Sequence, residues 1–201
     1  MPRLTVAHDF ICPWCWVAWE QAKKLAVDFP TLELNWVGYE LLPEGLEYTP
    51  APPDPEAAKK PRVPGRFDLL LLAEGLTVPK RTRSYSFSRR ALEGVEFAKA
   101  AGKADAYLGA VYHAYWEEDR DIADMAVLTE IAAQAGLDVA AFARALDERT
   151  YRDTVVEYDD PAHAAGVWNV PTWMFPEEWV AEQPYVVVRE MAERFVAKDA
   201  R

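Results

Sequence analysis

Apolar residues recur along this chain in two rhythms, and the switches between them mark its elements. Leu4-Thr5-Val6-Ala7-His8 is a short apolar run of strand character. From Pro13 the period lengthens: Ala18, Ala22, Leu25 and Phe29 fall at helical spacing, so a strand hands over to a helix near residue 12. Alternation returns at Leu32, Leu34 and Trp36, with Glu33 and Asn35 between them, which predicts a second strand with one buried face. A stretch with Pro43, Pro50, Pro52, Pro53, Pro55, Pro61 and Pro64 follows. Missing N–H groups and fixed φ angles exclude a helix or a central strand there, leaving an ordered crossing loop or a boundary between subdomains.

From about residue 65 to 165 the helical period dominates. Ala104, Tyr107, Leu108, Val111, Tyr112, Tyr115 and Trp116 make a broad apolar stripe, the strongest such signal in the chain. Asp124 suits the N-cap of a helix that turns Leu128, Ile131, Ala132 and Ala135 inward and closes at Gly136. Asp138 opens the next, with Val139, Phe142, Ala143 and Leu146. Tyr151, Thr154, Val155 and Tyr158 predict one more helix, kinked or ended by Pro161. The short turns between these segments imply a compact antiparallel bundle. After Gly166 come two short strands, Thr172–Phe175 and Trp179–Glu182, joined by a turn at Pro176-Glu177-Glu178. Pro184 opens a last helix with Val188, Met191, Ala192 and Phe195 inward. The expected class is α/β, with residues 1–42 and 166–201 forming one discontinuous domain, 43–64 a proline-rich connection and 65–165 an all-helical insertion.

The chain has 201 residues, 51% of them hydrophobic, enough for a sizeable core in one large domain or two small ones. No apolar run approaches the ~20 residues that span a bilayer, and Met-Pro-Arg-Leu-Thr-Val lacks the apolar stretch of a signal peptide. A soluble protein of the cytoplasm, with no membrane partner, is the expectation. The net charge of −11 argues against nucleic acid, whose phosphates need a basic surface. The charge is uneven: residues 59–90 carry nine basic residues against Asp68 and Glu74. Ordinary solvated surface is the favoured reading of that stretch, over a basic rim that attracts acidic substrates.

Cys12-Pro13-Trp14-Cys15 contains the only two cysteines. Pro13 suits the first helical position, which places Cys12 at the helix N-terminus, where unpaired N–H groups and the positive end of the helix dipole favour a thiolate, the nucleophilic form. Cys15, one turn further in, can close a small disulfide ring. A pair of buried small hydrophobes is the bland alternative, but the spacing at a strand-to-helix junction, in a chain with no disulfide framework, favours redox chemistry. A tetrahedral zinc site lacks ligands, since His8, His113 and His163 are not at knuckle spacing and no second Cys pair exists. Neither a metal nor a cofactor is expected.

With Gly166-Val167-Trp168-Asn169-Val170-Pro171-Thr172-Trp173-Met174-Phe175 before the last hairpin, and a helical insert after the first βαβ segment, the chain resembles the DsbA-like thioredoxin family, and within it the cytoplasmic FrnE-type branch. Asp121-Ile122-Ala123-Asp124 and Glu182-Gln183-Pro184 also fit, whereas residues 43–64 match nothing in the family. The resemblance implies a thioredoxin fold with an inserted helical subdomain and a thiol-disulfide oxidoreductase, with Cys12 attacking and Cys15 resolving. It further implies a cis Val170–Pro171 bond, Pro171 packed beside the dithiol, and the Val170 backbone pairing with an extended substrate. Relatives keep a buried acid six residues before the first Cys, where this chain has Val6. Asp9, directly or through a water, is the candidate to take the Cys15 proton in its place, and plain capping of the loop is the other reading. Trp14 stands where strong oxidants carry His, which implies a potential between strong oxidant and strong reductant. Pro13, Trp14 and Trp168 are candidates for the substrate-binding surface, although core packing is the favoured reading for Trp168.

The implied partners are polypeptide or small-molecule thiols and disulfides, with a recycling reductant that the sequence does not name. Two other readings remain open: a glutathione-dependent isomerase or transferase, against which the retained Cys15 counts, and a non-redox binding or chaperone module.

Overall fold

The computed structural model describes residues 1–47, 63–82, 85–157 and 160–199. Five strands form one sheet in the order β3-β2-β1-β4-β5. β1 (Arg3–His8) occupies the centre because it can be covered on both faces: Leu4, Val6, Ala7 and His8 are all but inaccessible to solvent. β2 (Glu33–Glu40) pairs with it in parallel, setting Val6 opposite Trp36. β4 (Thr172–Met174) pairs antiparallel on the other side, setting Val6 opposite Trp173, and β5 (Trp179–Ala181) completes a hairpin with β4.

A parallel pair needs a crossover, and α1 (Pro13–Asp28) supplies it, with Trp16, Val17, Ala18, Ala22 and Leu25 on its buried side. Between β2 and β3 the chain builds α2 (Arg66–Glu74), α3 (Arg89–Ala100), α4 (Ala104–Trp116), α5 (Met125–Gln134) and α6 (Val139–Asp147). Local chemistry sets the starts of α5 and α6. Asp124 accepts from the N–H of Ala126 at 2.8 Å, and Asp138 from that of Ala141 at 2.9 Å.

The aromatic stripe of α4 joins the helices to the sheet. Tyr112 stacks on Trp19 of α1 with ring centres 5.4 Å apart, and the Trp116 indole N–H donates to the carbonyl of Phe10 at 2.9 Å. That bond ties the loop after β1 directly to the helical layer. The helices approach closely where side chains are absent: a Cβ on Gly94 of α3 would stand 2.2 Å from the Tyr107 hydroxyl of α4.

The helix expected over Tyr151, Thr154, Val155 and Tyr158 does not form. Arg152–Thr154 make one 3₁₀ turn, and β3 (Val156–Glu157) then pairs in parallel with Tyr39 and Glu40. β-Branched Val155 and Val156 suit extended backbone, and the free edge of β2 supplies the hydrogen-bond partners that a helix would have made internally. Tyr158 lies outside the described residues. Pro161 falls in the first turn of α7 (Asp160–Ala164), so it begins a helix and ends none. α8 (Tyr185–Asp199), preceded by Pro184, buries Val188, Met191 and Ala192.

Pro50, Pro52, Pro53, Pro55 and Pro61 lie outside the described residues, as do Lys59, Lys60, Arg62 and Arg83. The basic residues that are described do not form a uniform solvated face. Arg66 pairs with Glu182, Arg81 with Asp119 and Arg90 with Asp147, while Arg89 is buried between Glu40 and Glu93.

Candidate active site

β1 delivers the chain to a turn of Asp9, Phe10 and Ile11, after which Cys12 is the N-cap of α1, in extended conformation at φ −78° and ψ 121°. The turn is closed by the Cys12 N–H donating to the Asp9 carbonyl at 3.3 Å, and the helix begins with the Trp16 N–H on the Cys12 carbonyl at 3.1 Å. Both cysteines are free thiols. Cys12 keeps 6% of its surface accessible, whereas Cys15 has none. Both are buried, but the N-cap residue lies at the tip just beneath the surface, and one turn later the side chain points fully into the core.

The Cys12 thiol donates to the carbonyl of Val170 at 3.3 Å. The Val170–Pro171 peptide is cis, and Val170 packs with Ala7, Tyr39, Ala162 and Val167 around the two sulfurs. Pro171 is buried at the head of β4. The loop before β4 thus lies against the tip of α1, although 158 residues separate Cys12 from Val170.

Burial pushes the Cys15 thiol well above its ordinary range, and the adjacent Cys12 sulfur adds to the effect. The backbone N–H of Asp9, which donates to the Cys15 sulfur at 3.5 Å, works in the opposite direction. The Asp9 side chain caps the loop: Oδ1 accepts from the N–H of Ile11 at 3.2 Å and Oδ2 from that of Leu41 at 2.7 Å. Even with these donors, complete burial raises the Asp9 carboxyl to about 6. Its neighbour His8 is held neutral, lowered to about 3 by burial with a smaller effect of Lys99. The His8 ring shares a 3.0 Å hydrogen bond with the Tyr112 hydroxyl and sits edge-on to Phe10 and Trp36.

Trp14 projects from the first turn of α1 onto Phe67 of α2, ring centres 4.8 Å apart, with the Arg66 guanidinium 5.9 Å from its ring. Pro13 beside it is half-buried. Core packing does not describe Trp168, which is 67% exposed and stacks on His163 at 4.8 Å.

Sequence reasoning missed a group of buried charges behind the dithiol. Glu40 ends β2, and its Oε2 accepts from Arg89 at 2.7 Å, while Arg89 also reaches Glu93 at 3.7 Å. The one available signal was Glu40 itself, an acid that follows the apolar and aromatic Trp36-Val37-Gly38-Tyr39 at the end of β2.

The model of the DSBA-like thioredoxin domain matches residues 3–189, which span the dithiol, the helices and the loop at Pro171. The chain belongs to this family. It is 32% identical over 179 residues to the uncharacterized protein YwbO of Bacillus subtilis, covering 86% of each chain. Among solved structures it is similar to the probable DsbA oxidoreductase SCO1869 of Streptomyces coelicolor, at 26% identity and a TM-score of 0.73, covering 98% of this chain and 91% of that one. The cytosolic disulfide reductase DsbM of Pseudomonas aeruginosa, solved with GSH, is similar at 21% identity and a TM-score of 0.62, covering 96% of this chain and 99% of that one, a likeness of fold. The α/β architecture is therefore a thioredoxin fold of the DsbA-like kind. Among the described residues no helix is long and apolar enough to cross a membrane.

Proposed function

We propose that this protein is a thiol-disulfide oxidoreductase, working as a reductase or isomerase through a mixed disulfide at Cys12 that Cys15 resolves. One observation carries the reading: Cys12 stands at the tip of α1 with its sulfur 3.3 Å from the Val170 carbonyl, and Cys15 lies sealed one turn behind it. A nucleophile at the helix tip that keeps a small accessible surface, with a fully sealed resolving thiol behind it, is what a two-step exchange needs.

In the first step the Cys12 thiolate attacks a substrate disulfide. A bond forms between Cys12 and one substrate sulfur, the substrate S–S bond breaks, and the departing thiolate takes a proton. In the second step Cys15 gives up its proton and attacks the Cys12 sulfur. The second substrate thiol leaves, a Cys12–Cys15 disulfide remains, and two electrons have passed to the substrate. An external thiol returns the protein to the dithiol form. Asp9, a buried acid whose own backbone N–H donates to the resolving sulfur, is the acceptor for the Cys15 proton. The Val170 backbone lines the approach to Cys12, where an extended polypeptide can pair with it through main-chain hydrogen bonds. Pro13, Trp14 and the exposed Trp168 supply apolar contact around it.

The FrnE-type branch and a cytoplasmic setting belong to the same reading. So does the division into a thioredoxin-like domain, 1–42 with 166–201, and a helical insertion over 65–165. The name of DsbM, a cytosolic disulfide reductase solved with GSH, supports small thiols as substrates or recycling reductants. Turnover of insulin disulfides with glutathione as reductant tests the proposal. The wild-type protein accelerates reduction and Cys12→Ser loses that acceleration; a Cys12→Ser protein as active as wild type overturns it.

A further inference from the structure

Three carboxyl groups lie buried behind the dithiol, and two guanidinium groups face them. Asp9 and Glu93 are fully buried and Glu40 is 1% exposed. Glu93 is shared by both cations: Arg89 at 3.7 Å and Arg149 at 2.7 Å. Arg149 then extends to Glu44 at 2.7 Å, at the surface. Glu40 holds Arg89 through Oε2 alone, and its buried Oε1 has no hydrogen-bond partner. Among the described residues no cation pairs with Asp9, whose carboxyl accepts from the backbone N–H groups of Ile11 and Leu41, with the Ser88 hydroxyl and the Phe10 N–H also beside it. Because Leu41 directly follows Glu40, the same stretch of β2 backbone that carries the Glu40 side chain also hydrogen-bonds Asp9.

Charge balance decides what this arrangement can hold. In a low-dielectric interior, three carboxylates against two permanent cations leave one negative charge uncompensated, and the cost falls if one carboxyl keeps a proton. Glu93, with two guanidiniums, is the least suited to keep it. An orphaned oxygen does not separate Glu40 from Glu93, since Glu93 Oε2 lacks a partner just as Glu40 Oε1 does; the count of cations does, leaving Asp9 with none and Glu40 with one. Among the described residues these acids form no group arranged to hold a metal ion.

We propose that Asp9 and Glu40 share one proton and together accept the proton released by Cys15, Glu40 acting as a positioning residue that sets how readily Asp9 takes it. The proposal rests on the exchange reading of the dithiol. With one proton on the pair, one carboxylate is vacant. Cys15 passes its proton there as its sulfur bonds to Cys12, the bond between Cys12 and the substrate sulfur breaks, and the substrate thiolate leaves and is protonated from solvent. Burial holds both acids above their ordinary range, Asp9 at about 6 and Glu40 at about 7, with the charge of Asp9 adding to the rise at Glu40. The other groups that face the pair are neutral His8 on β1, Cys15 on α1, Ser88, Arg89 and Glu93 at the start of α3, and Tyr112 and Tyr115 on α4. Glu44 lies at the surface end, and Glu157 pairs opposite Glu40 on β3. Both tyrosines are pushed up by burial, so they stay protonated and leave the exchangeable proton to the carboxyls.

Stopped-flow reaction of the reduced protein with dithiobisnitrobenzoate separates the steps, since Cys12 releases the first thionitrobenzoate and Cys15 the second. Followed from acid to alkaline pH, the second release in Glu40→Gln should move toward lower pH by about one unit, because Asp9 loses its negative neighbour, and slow several-fold at neutral pH, because Asp9 becomes a weaker base. Glu40→Asp should restore the wild-type profile, which a merely structural role for Glu40 would not require. Superimposable profiles for wild type and Glu40→Gln overturn the shared proton. Infrared difference titration gives a second readout that needs no turnover: a protonated carboxyl at neutral pH, lost at that pH both in Glu40→Gln and in Asp9→Asn. Absence of that signal in the wild type also overturns the pair. A wild-type protein that releases the first thionitrobenzoate and never the second overturns the exchange reading itself.

Discussion

The main-chain N–H of Asp9 donates to the sulfur of Cys15 at 3.5 Å, while the Asp9 carboxyl is turned toward Ile11 and Leu41. One residue therefore grips the resolving thiol through its backbone and keeps an ionisable group behind it. Asp9→Asn should leave Cys12 attack near wild type and slow Cys15 attack about 10²-fold, the lower end of what a positioned base contributes. The same variant changes stability. The folded carboxyl titrates at about 6 against an ordinary 3.8, so folding favours its protonated form. Its contribution is full below the unfolded value and is lost as pH rises through about 6, on the order of 3 kcal/mol in all. Urea midpoints of wild type should fall across that window, and those of Asp9→Asn should stay flatter.

His8 has the opposite sign. Its folded value is lowered from 6.5 to about 3, so the native protein keeps a neutral ring where the unfolded chain binds a proton. That contribution is complete above the unfolded value and is lost as pH falls from about 6.5 toward 3, on the order of 5 kcal/mol. His8→Phe gives up the 3.0 Å bond to Tyr112 but keeps the edge-on aromatic packing. Its denaturation midpoint should depend less on pH on the acid side than that of wild type. An equal acid sensitivity in the two proteins would show that His8 is not the responsible group.

Gly94 marks where α3 and α4 touch. An added Cβ would meet the hydroxyl of Tyr107 at 2.2 Å and the ring of Phe142 at 3.0 Å, and both of those side chains are fully buried. Neither can swing into solvent, so Gly94→Ala should destabilise the protein by about 1–3 kcal/mol despite the better helix propensity of Ala. A thermal melt that is unchanged or raised would contradict this. Combining it with Tyr107→Phe, which removes the closest atom, should recover part of the loss.

Much of this fold was legible in sequence because its signals are local. The 12–15 motif with Pro13, the caps at Asp124 and Asp138, the alternation in β2 and the last hairpin each depend on residues within one turn or one strand of each other. β3 was not legible: two residues carry no period, and the strand exists only because β2 offers an edge at Tyr39 and Glu40. The charges behind the dithiol were hidden for a related reason. Glu40 and Arg89 are 49 residues apart, and nothing around Arg89 distinguishes it from the surface cations nearby in sequence until both ends are seen buried. Trp168 failed the other way, since indole size argued for the core, while the residue lies exposed on the loop before β4.

The central claim is that Cys12 attacks and Cys15 resolves. Mass spectrometry of the Cys15→Ser protein after reaction with a disulfide-bonded polypeptide tests it most directly. The account predicts one stable mixed disulfide, mapped to Cys12 and released by added thiol, with no such adduct on Cys15 in the Cys12→Ser protein. Adducts on Cys15 alone, or none on Cys12 while turnover persists, would contradict it.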